Sequence, residues 1–207
     1  MTDQPRESSA PAHRDLDLES LKALSHPLRV QLLDALSVYG PATASGLGER
    51  LGESSGATSY HLRQLEKHGL VREQEGRGSG RERWWERTPG SINIGSPEAV
   101  KTPAGRSAAT VIYREMQRAQ RRLIDDYAEH GSELLSAEWQ EAGDLLSSNT
   151  RLTPEQLRAF VAAVHAVLAE YVTPFRSQDV PGARPVHVEF NAFPVLDAGL
   201  ETPGEPS

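Results

Sequence analysis

Between Leu16 and Thr88 the apolar residues fall into four short helical stripes followed by a two-stranded alternation, and that succession leaves few folds open. Leu16, Leu18, Leu21 and Leu24 mark a first short helix, stopped before Pro27. A second helix starts at Pro27, where a first-turn proline costs no hydrogen bond, and runs through Leu28, Leu32, Leu33 and Leu36 to Tyr39-Gly40. Thr43 caps a third, carrying Leu47 and Leu51 and ended by Gly52. After the polar turn Glu53-Ser54-Ser55-Gly56, Thr58, Leu62 and Leu65 form the inward stripe of a fourth helix that stops at His68-Gly69. That stripe leaves Gly56, Ser59, Tyr60, Arg63 and Lys67 facing out. Leu70 to Glu75 and Arg81 to Arg87 then read as a ribbon whose tip is Gly76-Arg77-Gly78-Ser79-Gly80.

On pattern alone this is a winged helix-turn-helix. The stretch from Leu21 to Leu36, with Ser25-His26-Pro27-Leu28-Arg29, and the run Ser59-Tyr60-His61-Leu62-Arg63-Gln64-Leu65 in the fourth helix resemble the ArsR family of bacterial transcriptional regulators. The resemblance covers Leu16 to Arg87, about a third of the chain. It implies a homodimer bound to a near-palindromic operator in double-stranded DNA, usually as a repressor relieved by an effector. Family members that sense soft metals through a thiolate pair carry it in the third helix. Here that region reads Ala44-Ser45-Gly46-Leu47-Gly48-Glu49, and the chain has no cysteine, so thiolate sensing of arsenite, cadmium or lead is excluded. The same absence rules out disulfides and thiolate nucleophiles.

The fold class expected is mainly α with a small β component. An unfolded arm is expected over residues 1–15, the winged helix-turn-helix over 16–88, and a linker with one short strand-like fragment, Ile92 and Ile94, over 89–107. A helical dimerisation and effector domain is expected over 108–195, and an unfolded tail over 196–207. Ile112, Met116, Ala119, Leu123, Tyr127, Leu134 and Leu135 describe a long helix whose apolar spacing is about 3.5 residues, as in an interchain seam, with Gly131 as a point where it breaks. Thr153-Pro154-Glu155-Gln156 opens a further helix through Leu157, Phe160, Val161, Val164, Leu168 and Tyr171. Residues 184–191 alternate Val186, Val188 and Phe190 against His187, Glu189 and Asn191, a short C-terminal strand that needs a partner, for which 91–94 is the candidate.

The chain is acidic overall, with 22 Lys+Arg against 29 Asp+Glu, but residues 50–87 carry 8 basic against 6 acidic side chains, and the local balance sets the field a phosphate meets. No apolar run reaches membrane-helix length and the N-terminal residues lack signal-peptide character, so a cytoplasmic protein is expected. No nucleophile elbow, phosphate-binding loop or paired metal motif is present, so neither an enzyme nor a cofactor is expected.

The candidate DNA-binding residues are Ser55, Ser59, Tyr60, Arg63 and Lys67 on the outward helix face, where hydroxyls and cations reach base edges and phosphates. Arg77, Arg81 and Arg83 on the wing are placed for the minor groove or its phosphates. Arg29 is placed for a phosphate or for an internal salt bridge, and His61, between the two faces, for packing and hydrogen bonding. Of the adjacent Trp84 and Trp85, one plugs the core and the other needs a different cover. Asp125, Asp126, Glu129, His130 and Glu133 read as a solvated acidic face and not a metal site. Phe160, Val164, Leu168, Tyr171, Phe175, Phe190, Phe193 and Trp139 are either core or the lining of a pocket for a small apolar or aromatic effector. The competing function is a winged-helix protein-interaction module without sequence-specific DNA binding.

Overall fold

The computed structural model describes residues 13–74, 83–175, 178 and 180–196. In chain order the elements are β1 (His13–Asp15), α1 (Leu18–Leu24), α2 (Pro27–Tyr39), β2 (Ala42–Thr43), α3 (Ala44–Leu51), α4 (Ser55–Lys67), β3 (Val71–Glu73), β4 (Trp84–Arg87), β5 (Ser91–Asn93), α5 (Pro103–Leu134), α6 (Ala137–Ala142) and α7 (Pro154–Tyr171). Short 3-10 turns occupy Ala99–Lys101 and Thr173–Phe175. The chain divides into two compact units, Met1–Leu145 with Asp179–Val186, and Leu146–Gln178 with His187–Ser207.

The first unit holds the core. Leu21, Leu24, Leu32, Leu36, Leu47, Leu62, Leu65, Leu70, Val71 and Trp85 are buried together, so each predicted stripe of α1 to α4 is inward. The start signals work as their chemistry dictates. Asp17 accepts from the Ser20 amide at 2.8 Å, Thr43 from Gly46 at 3.1 Å and Ser54 from Ala57 at 3.2 Å, each satisfying a helix-end donor that has no partner within its helix. Strands β2, β4 and β3 form an antiparallel sheet with β4 central, in the register Ala42↔Trp85 and Val71↔Arg87. Trp85 is the indole that plugs the core; Trp84 is half-buried.

Three expectations are corrected. His13–Asp15, assigned by composition to an unfolded arm, pairs in parallel with β5 in the register Arg14↔Ile92. Asn93 Nδ2 donates to Asp15 at 2.7 Å and the Leu16 amide donates to the Asn93 carbonyl at 3.1 Å. The 91–94 fragment is thus paired near the N-terminus, and residues 184–191 form no strand. Second, the linker is structured. Thr102 caps α5 by accepting from the Gly105 amide at 3.0 Å, with Pro103 in the first turn, the same signature that opens α7. A Cβ on Gly105 would stand 1.8 Å from the Ala99 carbonyl oxygen, so only glycine lets the 3-10 turn lie against this helix. Third, α5 runs unbroken through Gly131, and its first apolar face is not free for another chain. Ile112 and Ala119 are buried, and α5 packs on α1 and α2 of its own chain.

In the second unit, the Thr153 and Gln156 side chains form a reciprocal capping box at the start of α7. No residue of α7 is buried, and Phe160, Tyr171 and Phe175 are about half exposed or more. These aromatics are therefore not core; a separate open groove, not an enclosed pocket, is lined by Leu157, Val161, His165 and Ala192.

Candidate nucleic-acid interface

The helix-turn-helix angle is fixed by α3, the turn after it and α4. Gly52, at φ +69°, takes the left-handed conformation that ends α3. The Glu53 amide donates back to the Gly48 carbonyl at 2.8 Å, which draws the turn so close that a Cβ on Gly48 would lie 2.7 Å from the Glu53 carbonyl oxygen. Thr58 is fully buried, and its hydroxyl donates to the Ala44 carbonyl at 2.7 Å, joining the first residue of α3 to the first turn of α4. A buried hydroxyl must find such an acceptor or lose its hydration without compensation.

With that face pinned, the other is presented. Ser55, Tyr60, Arg63 and Lys67 are exposed and Ser59 is half-buried. Among the described residues neither Arg63 nor Lys67 has a hydrogen bond or ion pair. Glu66 is the acidic residue of the same helix, beside Lys67 at its C-terminal end.

Arg29 is used differently. Its Nη1 donates to the Ala23 carbonyl in the last turn of α1, and its Nε donates to His61 Nδ1 at 3.2 Å. These two bonds, neither of them a salt bridge, join the end of α1 to α4. The bond to His61 requires the neutral ring with its proton on Nε2. His26 stacks on His61 at 4.3 Å between ring centroids, and Tyr60 meets it edge-on at 5.1 Å. Burial holds the His61 pKa below its ordinary 6.5, with the His26 ring and the Arg29 guanidinium lowering it further and Glu53 opposing.

Arg14 is the residue that sequence reasoning missed. Its guanidinium donates from Nη1 to the Gly69 carbonyl at 3.1 Å and from Nη2 to the His68 carbonyl at 2.9 Å, so β1 clamps the C-terminal end of α4. A cation there also complements the negative end of the helix dipole. Nothing in the polar stretch around it signals this bond, which joins residues 55 apart.

On the wing, Arg72 and Glu86 pair across β3 and β4 at 2.6 Å, and Arg83 is exposed and paired with Glu73 at 3.4 Å. Arg77 and Arg81 lie outside the described residues. Asp126 and His130 are exposed on α5, and among the described residues no three His, Asp or Glu side chains converge as metal ligands. No described helix is long and apolar enough to cross a membrane.

Residues 24–74 match the protein family described as Helix-turn-helix domain. No curated protein matches the chain at a significant level. Among solved structures the chain is similar to reduced HlyU from Vibrio cholerae, with 21% identity over 45% of this chain and 81% of that one and a TM-score of 0.29. It is also similar to the transcriptional repressor BigR from Xylella fastidiosa, with 18% identity over 57% and 87% and a TM-score of 0.29. A third is the homodimeric winged helix-turn-helix domain Mb0332 from Mycobacterium bovis, a possible ArsR-family regulator, with 21% identity over 63% and 95% and a TM-score of 0.29. The family match and the local geometry of α3, the turn and α4 agree: residues 24–74 form a helix-turn-helix domain, with the antiparallel strands β3 and β4 following α4.

Proposed function

We propose that the chain is a homodimeric transcriptional repressor that reads a near-palindromic operator with one α4 per half-site. The observation that carries this reading is the contrast between two sets of side chains. Thr58, Arg29 and Arg14 hold α4 from behind and at its ends, while Arg63 and Lys67 point outward without partners among the described residues. In this reading Ser55, Ser59, Tyr60 and Arg63 reach base edges and flanking phosphates in the major groove, and Lys67 reaches a phosphate. Arg77, Arg81 and Arg83 serve the wing contacts, Arg83 exchanging Glu73 for a phosphate. Arg29 acts by positioning α4.

Support for the homodimer comes from the second half of α5, where Leu123, Ile124 and Tyr127 are only partly covered and Leu134 is 74% exposed. A small apolar or aromatic effector completes the reading, supported by the exposed aromatic surface of α7. The test is selection of bound fragments from random duplex DNA with the full-length protein. Enrichment of paired half-sites about 10 base pairs apart, centre to centre, or a multiple of that, is expected. Equal affinity for selected and random duplexes would favour the protein-interaction module instead.

A further inference from the structure

Residues 185–191 have the side-chain arrangement of a strand without a partner strand. On one side, the Glu189 carboxylate accepts from Asn191 Nδ2 and lies 3.9 Å from His187 Nε2, so the three polar side chains are in line. On the other, Phe190 meets the Phe160 ring of α7 edge-on at 5.7 Å. Among the described residues no backbone N–H or C=O of 185–191 makes a hydrogen bond. Val186 is 68% and Val188 52% exposed. Backbone groups in such a segment are a template for another strand. Pro185 and Pro194, which have no amide hydrogen to donate, bound the stretch at both ends.

We infer that the partner is the same segment of a second copy, paired antiparallel about a two-fold axis at Val188. The inference rests on the homodimer reading above and adds to it an interface away from α5. It follows from the self-complementarity of this short sequence. With Val188 opposite itself, His187 falls opposite the partner's Glu189 and Val186 opposite the partner's Phe190, each pair occurring twice. Every polar residue from 187 to 189 then meets one of complementary chemistry, and every apolar residue from 186 to 190 meets an apolar one. A slip by one residue pairs Val188 with His187 or with Glu189 and turns the apolar face against the polar one. The ribbon also gives α7 a continuous apolar surface, since Phe190 already rests on Phe160.

The chain has no cysteine, so single introduced cysteines report the register without a background. In the full-length protein Val188→Cys places two thiols directly opposite across the axis, within the reach of a disulfide, whereas Val186→Cys and His187→Cys do not. Under mild oxidation Val188→Cys should cross-link at least about tenfold faster than either control. Coexpressed His187→Cys and Glu189→Cys copies should cross-link to each other more than each does to itself. Sedimentation of the wild-type chain separates the two ways of failing. A dimer in which Val188→Cys cross-links no faster than the controls would overturn the ribbon and leave the dimer standing; a wild-type monomer would overturn both.

Discussion

The Thr58 hydroxyl holds α3 to α4 by donating to the Ala44 carbonyl. Thr58→Val keeps the shape but deletes that bond, which should cost about 0.5–1.5 kcal/mol in a denaturant melt. Thr58→Ser, which keeps the hydroxyl, should recover part of the loss. His61 gives the residue scale a pH dependence. Its folded pKa is depressed, so the unfolded chain binds the proton more readily and stability rises with pH. The contribution is present in full above the ordinary value of 6.5 and is lost as pH falls from there through the lowered folded value. Protonation also removes the Nδ1 lone pair that accepts from Arg29. The thermal midpoint of the wild type should therefore fall more steeply between pH 7 and pH 5 than that of His61→Gln, whose side chain stays neutral. Parallel curves would remove His61 from the account. That Tyr60 and Arg63 face outward was legible because helical spacing alone decides it, whereas Ser59, placed outward by the same spacing, is half-buried. The role of Arg14 was not legible, because its partners are main-chain carbonyls brought near by the fold.

At the scale of elements, the helices of the winged domain could be read because each carries its own start and stop. Thr43 and Gly52 delimit α3 with side-chain and backbone chemistry that is local in sequence. The same local chemistry stands at Thr102-Pro103, inside a segment whose proline and glycine content by itself reads as linker. Strand partners were not legible in this way. Parallel pairing of β1 with β5 joins residues 78 apart, and no alternation of three residues specifies it. The turn between α3 and α4 has the tightest steric demand. Gly48→Ala forces a Cβ against the Glu53 carbonyl, and although alanine favours helix by about 1 kcal/mol, the backbone clash should dominate. A net loss of about 1–3 kcal/mol is expected by denaturant titration, with weaker duplex binding by the folded fraction.

For the whole molecule, the near-heptad spacing of α5 identified a packing seam but not its owner. Ile112 and Ala119 pack inside their own chain, because the same period serves an intramolecular helix pair as well as an intermolecular one. The partly covered Leu123, Ile124 and Tyr127 are what remains for a second chain. Sedimentation at micromolar concentration should give about 45 kDa, twice the 22.6 kDa of one chain. Leu123→Glu with Tyr127→Glu should shift that species toward monomer. In the proposed dimer, two copies of the 50–87 segment, each with 8 basic against 6 acidic side chains, would face one acidic duplex although each chain carries a net −7. The most direct measurement of the claim that α4 reads DNA is the affinity of Arg63→Ala for the selected duplex and for a random one, by fluorescence anisotropy at matched salt. Arg63 is exposed and holds up no part of the fold, so the variant should melt like the wild type. A loss of at least about tenfold on the selected duplex, larger than on the random one, is the result expected for a base-contacting guanidinium. Equal affinities of wild type and variant for the selected duplex would contradict the account.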